Sequence, residues 1–241
     1  MKLQFKHQPF QAEAAAAVCD VFNGQPMRTT TYRLDLGDMT NIQTDLDMTD
    51  TGFRNHPLVP ELTNARILDN LHAVQRRGGL KPSDALAGPG INLSIEMETG
   101  TGKTYTYVKT MYELNARYGW SKFIIVVPSV AIREGVYKSL QTTQEHFAGE
   151  YGKKIRFFIY SSDRLTEVDR FGSDSAIHTL HYSDIHHINY LLHYLNAFHI
   201  FYILPWQLST HYFQQMNWVL YYDNLFLLMK LPLQLIKLLR Y

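Results

Sequence analysis

The chain has 241 residues, 46% of them hydrophobic and 19% charged, with a formal net charge of +1. That length holds one or two domains with a sizeable core, and the composition excludes a disordered protein. The near-neutral balance excludes a basic tail as the means of gripping nucleic acid, while leaving a local basic groove open. A single cysteine, Cys19, excludes an intramolecular disulfide and suits a reducing, cytoplasmic compartment. In its alanine-rich apolar setting a buried, inert thiol is expected. The opening residues MKLQFKHQ hold no apolar run of signal-peptide length, so export is not expected.

Residues 9–22 (PFQAEAAAAVCDVF) combine strong helix formers with an apolar face, and Asn23, Gly24, Gln25 and Pro26 supply stop signals. Residues 27–60 are rich in Thr and Asp and read as strands or loops. Residues 64–77 space Ile67, Leu68, Leu71 and Val74 at helical intervals, closed by Gly78 and Gly79. After Gly88-Pro89-Gly90, residues 91–97 alternate as a strand does, and a helix is predicted over 103–118. The apolar run KFIIVV at 122–127 marks a strand buried in a parallel sheet. A helix over 130–147 and a strand over 155–160 complete a βαβ pattern.

Composition breaks near residue 178. All 14 glycines precede it, whereas seven of the 11 histidines and eight of the 16 tyrosines follow it. Residues 1–177, with an insert at about 25–88, are therefore expected to form one domain. Residues 178–241 are expected to be an atypical tail, helical or disordered, such as a frameshift read-through produces. His181, His186, His187, His193 and His199 lack carboxylate or cysteine companions, which argues against a metal site there. Residues 225–239 are apolar, but Lys230, Pro232 and Lys237 argue against a membrane-spanning helix.

The strongest chemical signal is Thr99-Gly100-Thr101-Gly102-Lys103-Thr104, between a predicted strand and a predicted helix. Glycines let backbone amides curl around phosphate oxygens, and the new helix adds unpaired amides and its positive dipole end. Lys103 would reach the β- and γ-phosphates of ATP, and the Thr104 hydroxyl would ligate Mg2+. The strict phosphate-loop pattern has glycine where this chain has Met97. Pro128, Ser129 and Arg133 follow a predicted core strand, where ligands of open α/β sheets bind. Ser129, Arg133 and the next helix's first amides could hold a nucleic-acid phosphate; a plain strand-to-helix turn with Arg133 solvated fits equally. Gln11 offers a donor and an acceptor suited to an adenine edge, or is a solvated glutamine at a helix start.

In this order, the pieces resemble the first motor domain of superfamily 2 helicases and translocases. The segment IEMETGTGKTYTYVKTMYELNARYGWSKFIIVVPSVAIREGV is similar to the Res subunit of type III restriction–modification enzymes, over about residues 1–177. The resemblance implies an α/β fold with a RecA-like P-loop parallel sheet flanked by helices. It also implies Mg2+-dependent ATP hydrolysis coupled to movement on double-stranded DNA, a separate C-terminal nuclease domain and a modification methyltransferase (Mod) partner subunit. It assigns Gln11 to adenine, Thr99 to Thr104 to the ATP phosphates with Lys103 and Thr104 catalytic, and Pro128, Ser129 and Arg133 to DNA. No Asp-Glu dipeptide occurs, although motors of this class use one to hold magnesium and align water. A second motor domain and a nuclease are also missing. Nucleotide binding without efficient hydrolysis is therefore expected, in a truncated motor. The rivals are a non-catalytic nucleotide- or partner-binding remnant and a superfamily 2 helicase or ATPase outside restriction.

Overall fold

The computed structural model describes residues 5–28, 32–33, 52–53, 55–86, 91–98, 100–127, 129–160, 170–171, 173–182, 201–205 and 225–230. Proline at the first helical position opens α1 (Pro9–Val21), where it costs no hydrogen bond. Two short strands, β1 (Tyr32–Arg33) and β2 (Gly52–Phe53), pair antiparallel within the Thr- and Asp-rich segment. Thr63 caps α2 (Asn64–Arg77) by accepting from the Arg66 amide at 3.3 Å.

Strand β3 (Ile91–Glu96) leads into α3 (Lys103–Tyr118), which ends at Gly119 in the left-handed region. Then come β4 (Lys122–Val126), α4 (Val130–Tyr151) and β5 (Arg156–Ile159). These elements match the sequence reading to within a few residues. Strands β6 (His178–Tyr182), β7 (Phe201–Pro205) and β8 (Leu225–Lys230) join them. The six pair in parallel, in the order β3-β8-β7-β4-β6-β5.

Three of these strands lie where a helical or disordered tail was expected, and for their residues that expectation is corrected. Glycine scarcity bears on turns, but a ladder needs only backbone donors and acceptors with side chains that suit a pleated surface. The runs HTLHY, FYILP and LFLLMK meet that need, and the sheet crosses the compositional break. The five tail histidines named above have no described side chains. Among the described residues, no helix is long and apolar enough to cross a membrane.

Helix α3 is the centre of the core. It packs against both α1 and α4, and residues 106–112 are all buried. In a helix buried on nearly every side most polar groups are hydrogen-bonded. Thus Asn115 donates to the Trp120 carbonyl at 2.9 Å, and Tyr112 accepts from the Ile155 amide at 3.1 Å. The Tyr112 ring stacks against both Phe147 and Tyr151 of α4, at 5.1 and 5.0 Å. Cys19 is fully buried, and burial pushes its thiol up to about 12.

Part of the segment read as an insert packs into the core, Leu62 and Ile67 among it. Asn55 is buried; its Oδ1 accepts from the amides of Ser121 and Lys122 at 2.7 and 2.9 Å, and its Nδ2 donates to the Lys122 carbonyl at 2.8 Å. One side chain thereby satisfies the edge of β4 as a strand neighbour would. Asn55→Ala leaves three buried backbone groups short of partners and is expected to cost about 2–4 kcal/mol in urea unfolding.

Lys122 sits fully buried in β4, with its ammonium donating to the Asp174 carbonyl and lying 5.4 Å from the Phe171 ring centre. Burial is the main cause that brings its pKa down to about 7, against a raising influence from Asp174. The unfolded lysine holds its proton to higher pH, so unfolding takes up a proton between the two values and stability rises with pH there. Between about pH 7 and pH 9 wild type is expected to gain stability relative to Lys122→Met, whose profile lacks this rise. Parallel denaturation series at several pH values check this.

Candidate nucleotide site

The turn between β3 and α3 is shaped by two glycines in the left-handed region, Gly100 (φ 83°) and Gly102 (φ 85°). L-residues with a Cβ adopt that conformation at a cost of about 1–2 kcal/mol. Gly102 is the N-cap of α3 and gives it no side-chain cap. The amides of Lys103 and Thr104 precede the first intrahelical acceptor, since the Gly102 carbonyl receives the Thr106 amide at 3.0 Å. Such amides, at the positive end of a buried helix, suit an anion.

Lys103 folds back over this turn. Its Nζ donates to the carbonyls of Met97 and Glu98 at 2.9 and 2.7 Å, and desolvation lowers its pKa below the ordinary lysine value. Thr101 also closes on Glu98, its hydroxyl donating to that carbonyl at 2.7 Å. The ammonium therefore lies across the mouth of the loop, where incoming phosphate oxygens can exchange with neutral carbonyls as its partners. Thr104, one residue on, is half-buried in the same helical turn. Met97, the departure from the strict loop pattern, is buried in the hydrophobic core at the end of β3, which gives a packing reason for an apolar side chain there.

Gln11 belongs to this site in space as well. It is buried on α1, and its Nε2 donates to the Thr101 carbonyl at 2.8 Å across 90 residues of sequence. A Cβ on Gly102 would stand 2.5 Å from that Nε2, so the glycine is required both by its φ and by the glutamine. The loop's carbonyl partners for Lys103 and Gln11 were not foreseen, because backbone acceptors carry no sequence signal.

The second group of expected contacts lies at the start of α4. Ser129 caps that helix, its Oγ accepting from the Ile132 amide at 3.3 Å. Arg133 forms an ion pair with Glu134 at 3.0 Å and is mostly shielded, while Val130 and Ile132 beside it are exposed. Thr99 and Pro128 lie outside the described residues.

Comparison with known proteins places the chain in a family. The family described as "Type III restriction enzyme, res subunit" matches residues 58–202. The Res subunit of the type III restriction-modification enzyme EcoP15I from Escherichia coli is 36% identical over 107 residues, covering 43% of this chain and 11% of that relative. The EcoPI Res subunit of Escherichia phage P1 is 36% identical over 106 residues, with the same shares covered. The StyLTI Res subunit of Salmonella typhimurium is 47% identical over 62 residues, 25% of this chain and 6% of the relative. The chain thus spans about a tenth or less of the length of these curated relatives.

The two glycines separate backbone strain from side-chain conflict. A Cβ at Gly100 meets open space, so Gly100→Ala is expected to lose only the left-handed penalty, about 1–2 kcal/mol. Gly102→Ala should lose more. That excess should vanish in a Gln11→Ala background, as a double-mutant cycle by chemical denaturation measures.

Proposed function

Since the chain belongs to the type III restriction enzyme Res subunit family, we propose that it is the nucleotide-binding part of a RecA-like motor domain, binding ATP at the β3–α3 turn. The observation that carries this is the conjunction of two left-handed glycines, an uncapped buried helix and a lysine ammonium lying across the turn. In this reading Lys103 holds the β- and γ-phosphates, with the amides of residues 100–104 around them. Gln11, fixed to the loop by its bond to Thr101, is positioned to read the adenine. Thr99 is included by its place in the loop sequence.

Mg2+ would enter with the triphosphate. Thr104 fits as one oxygen ligand, and the bound ion would neutralise charge between the phosphates. Neither of the two strands between β3 and β4 is closely followed by a carboxylate for the usual second anchor. In a parallel sheet, ligand-facing groups come from the carboxyl ends of strands. Strands β8 and β7, lying between β3 and β4, end at Lys230 and Pro205. No Asp or Glu occurs at residues 206–222 or after 230. The proposal is therefore binding without efficient hydrolysis, since the residues just after β7 and β8 offer no carboxylate to align an attacking water.

Double-stranded DNA and a modification methyltransferase subunit are the partners proposed by family, with the cytoplasm as compartment. DNA phosphates would meet the start of α4 at Pro128, Ser129 and Arg133. Ser129 is already a helix cap and Arg133 already holds Glu134, so a phosphate must displace that carboxylate. Coupling of ATP to DNA movement and cleavage belongs, in this proposal, to a longer assembly of which this chain supplies the nucleotide cradle.

Titration calorimetry with an ATP analogue and Mg2+ is expected to show binding that Lys103→Ala weakens by about tenfold or more, the loss of a charge-assisted contact of roughly 1.5–3 kcal/mol. Unchanged affinity in that variant contradicts the site. DNA-stimulated ATP turnover that depends on Lys103 contradicts the binding-without-hydrolysis reading.

A further inference from the structure

Away from the phosphate loop, His7, His146 and Glu150 bring one ligand atom each to within 4.8 Å of one another. His146 and Glu150 are four residues apart, on one face of α4. His7 comes from the arm that precedes α1. Neighbours surround His146 most closely. The Phe5 ring lies 5.0 Å from the His146 ring, the His7 ring lies 5.6 Å from it, and the Tyr105 hydroxyl bonds His146 Nε2 at 2.9 Å. Lys109 pairs with Glu150 Oε1 and also bonds the Tyr151 hydroxyl at 2.9 Å, while Glu150 Oε2 faces His146 Nε2 at 3.7 Å.

We propose that His7, His146 and Glu150 bind a late first-row divalent cation, with Zn2+ as the natural occupant, clipping the N-terminal arm onto α4. Two imidazoles and one carboxylate form a set that suits zinc and leaves a fourth position for water. Mg2+ and Ca2+ prefer oxygen donors and are disfavoured by two nitrogens. Ligand atoms around zinc stand about 3–3.5 Å apart, as bonds near 2.0–2.1 Å require, so the set must close by roughly 1 Å. His7 and Glu150 are exposed and can make that movement by changing rotamer. Lys109 opposes the cation by charge. It also holds Glu150 by one oxygen and leaves the other for the metal, the part that second-shell partners play around metal sites. The clipped arm runs directly into α1 and Gln11, which links the site to the nucleotide loop through a single short segment.

The experiment uses the full chain, with Zn2+ calorimetry and the visible absorption of bound Co2+ as probes. Other histidines, including His186 and His187, could bind metal adventitiously, so the variants decide location. One Zn2+ equivalent is expected to weaken by at least about tenfold in His7→Gln and in His146→Gln, and to be unchanged in His186→Gln with His187→Gln. If His146→Gln fails to fold, the exposed His7→Gln decides alone. Wild-type affinity in His7→Gln, or no Zn2+ binding by wild type, overturns the proposal.

Discussion

An ammonium group bound to the carbonyls of Met97 and Glu98 braces the β3–α3 turn. The contact is close to neutral in cost, because charge-assisted hydrogen bonds replace lost water around a partly desolvated lysine. It also poises the turn. Two carbonyl dipoles stabilise an ammonium less than phosphate anions do, so the lysine that braces the loop is the group an incoming triphosphate would recruit. Everything else around the turn preserves this arrangement. Gly100 and Gly102 supply the backbone path, Gln11 ties α1 to the Thr101 carbonyl, and α3, the helix that follows the turn, is anchored by being largely buried.

The scaffold also holds α3 against its neighbours along its length. Asp20 of α1 pairs with both Arg77 of α2 and Arg117 of α3, at 2.6 and 2.8 Å. Exposed pairs of this kind contribute little singly, but one carboxylate shared between two helices aligns three elements at once. Asn70 adds bonds to the Val21 and Asn23 carbonyls at the end of α1. On the opposite side, the Tyr105, Tyr112, Phe147 and Tyr151 rings lock α3 to α4. A binding loop gains affinity from being rigid before its ligand arrives, and this core holds the β3–α3 turn rigid.

Much of the site could be read from residues 91–133 alone, because each signal there has a local cause. Alternation gave β3, an unbroken apolar run gave β4, and glycines flanking Thr101 gave the turn. Less could be read where the cause is long-range. Asn55 looks like a loop residue, yet it substitutes for a strand neighbour of β4, an effect of a partner 67 positions away. The strands beyond 178 were misjudged because glycine content reports on turns, whereas pairing depends on backbone groups and apolar runs. Gln11 showed its type but not its contact, since a carbonyl acceptor at Thr101 leaves no trace in sequence.

The central claim is that the β3–α3 turn and α1 together close around a triphosphate. Backbone hydrogen exchange, followed by mass spectrometry with and without an ATP analogue and Mg2+, tests it most directly. The account predicts added protection confined to peptides spanning residues 97–106 and the start of α1 around Gln11. Protection absent from the turn, or appearing only elsewhere in the chain, would contradict it.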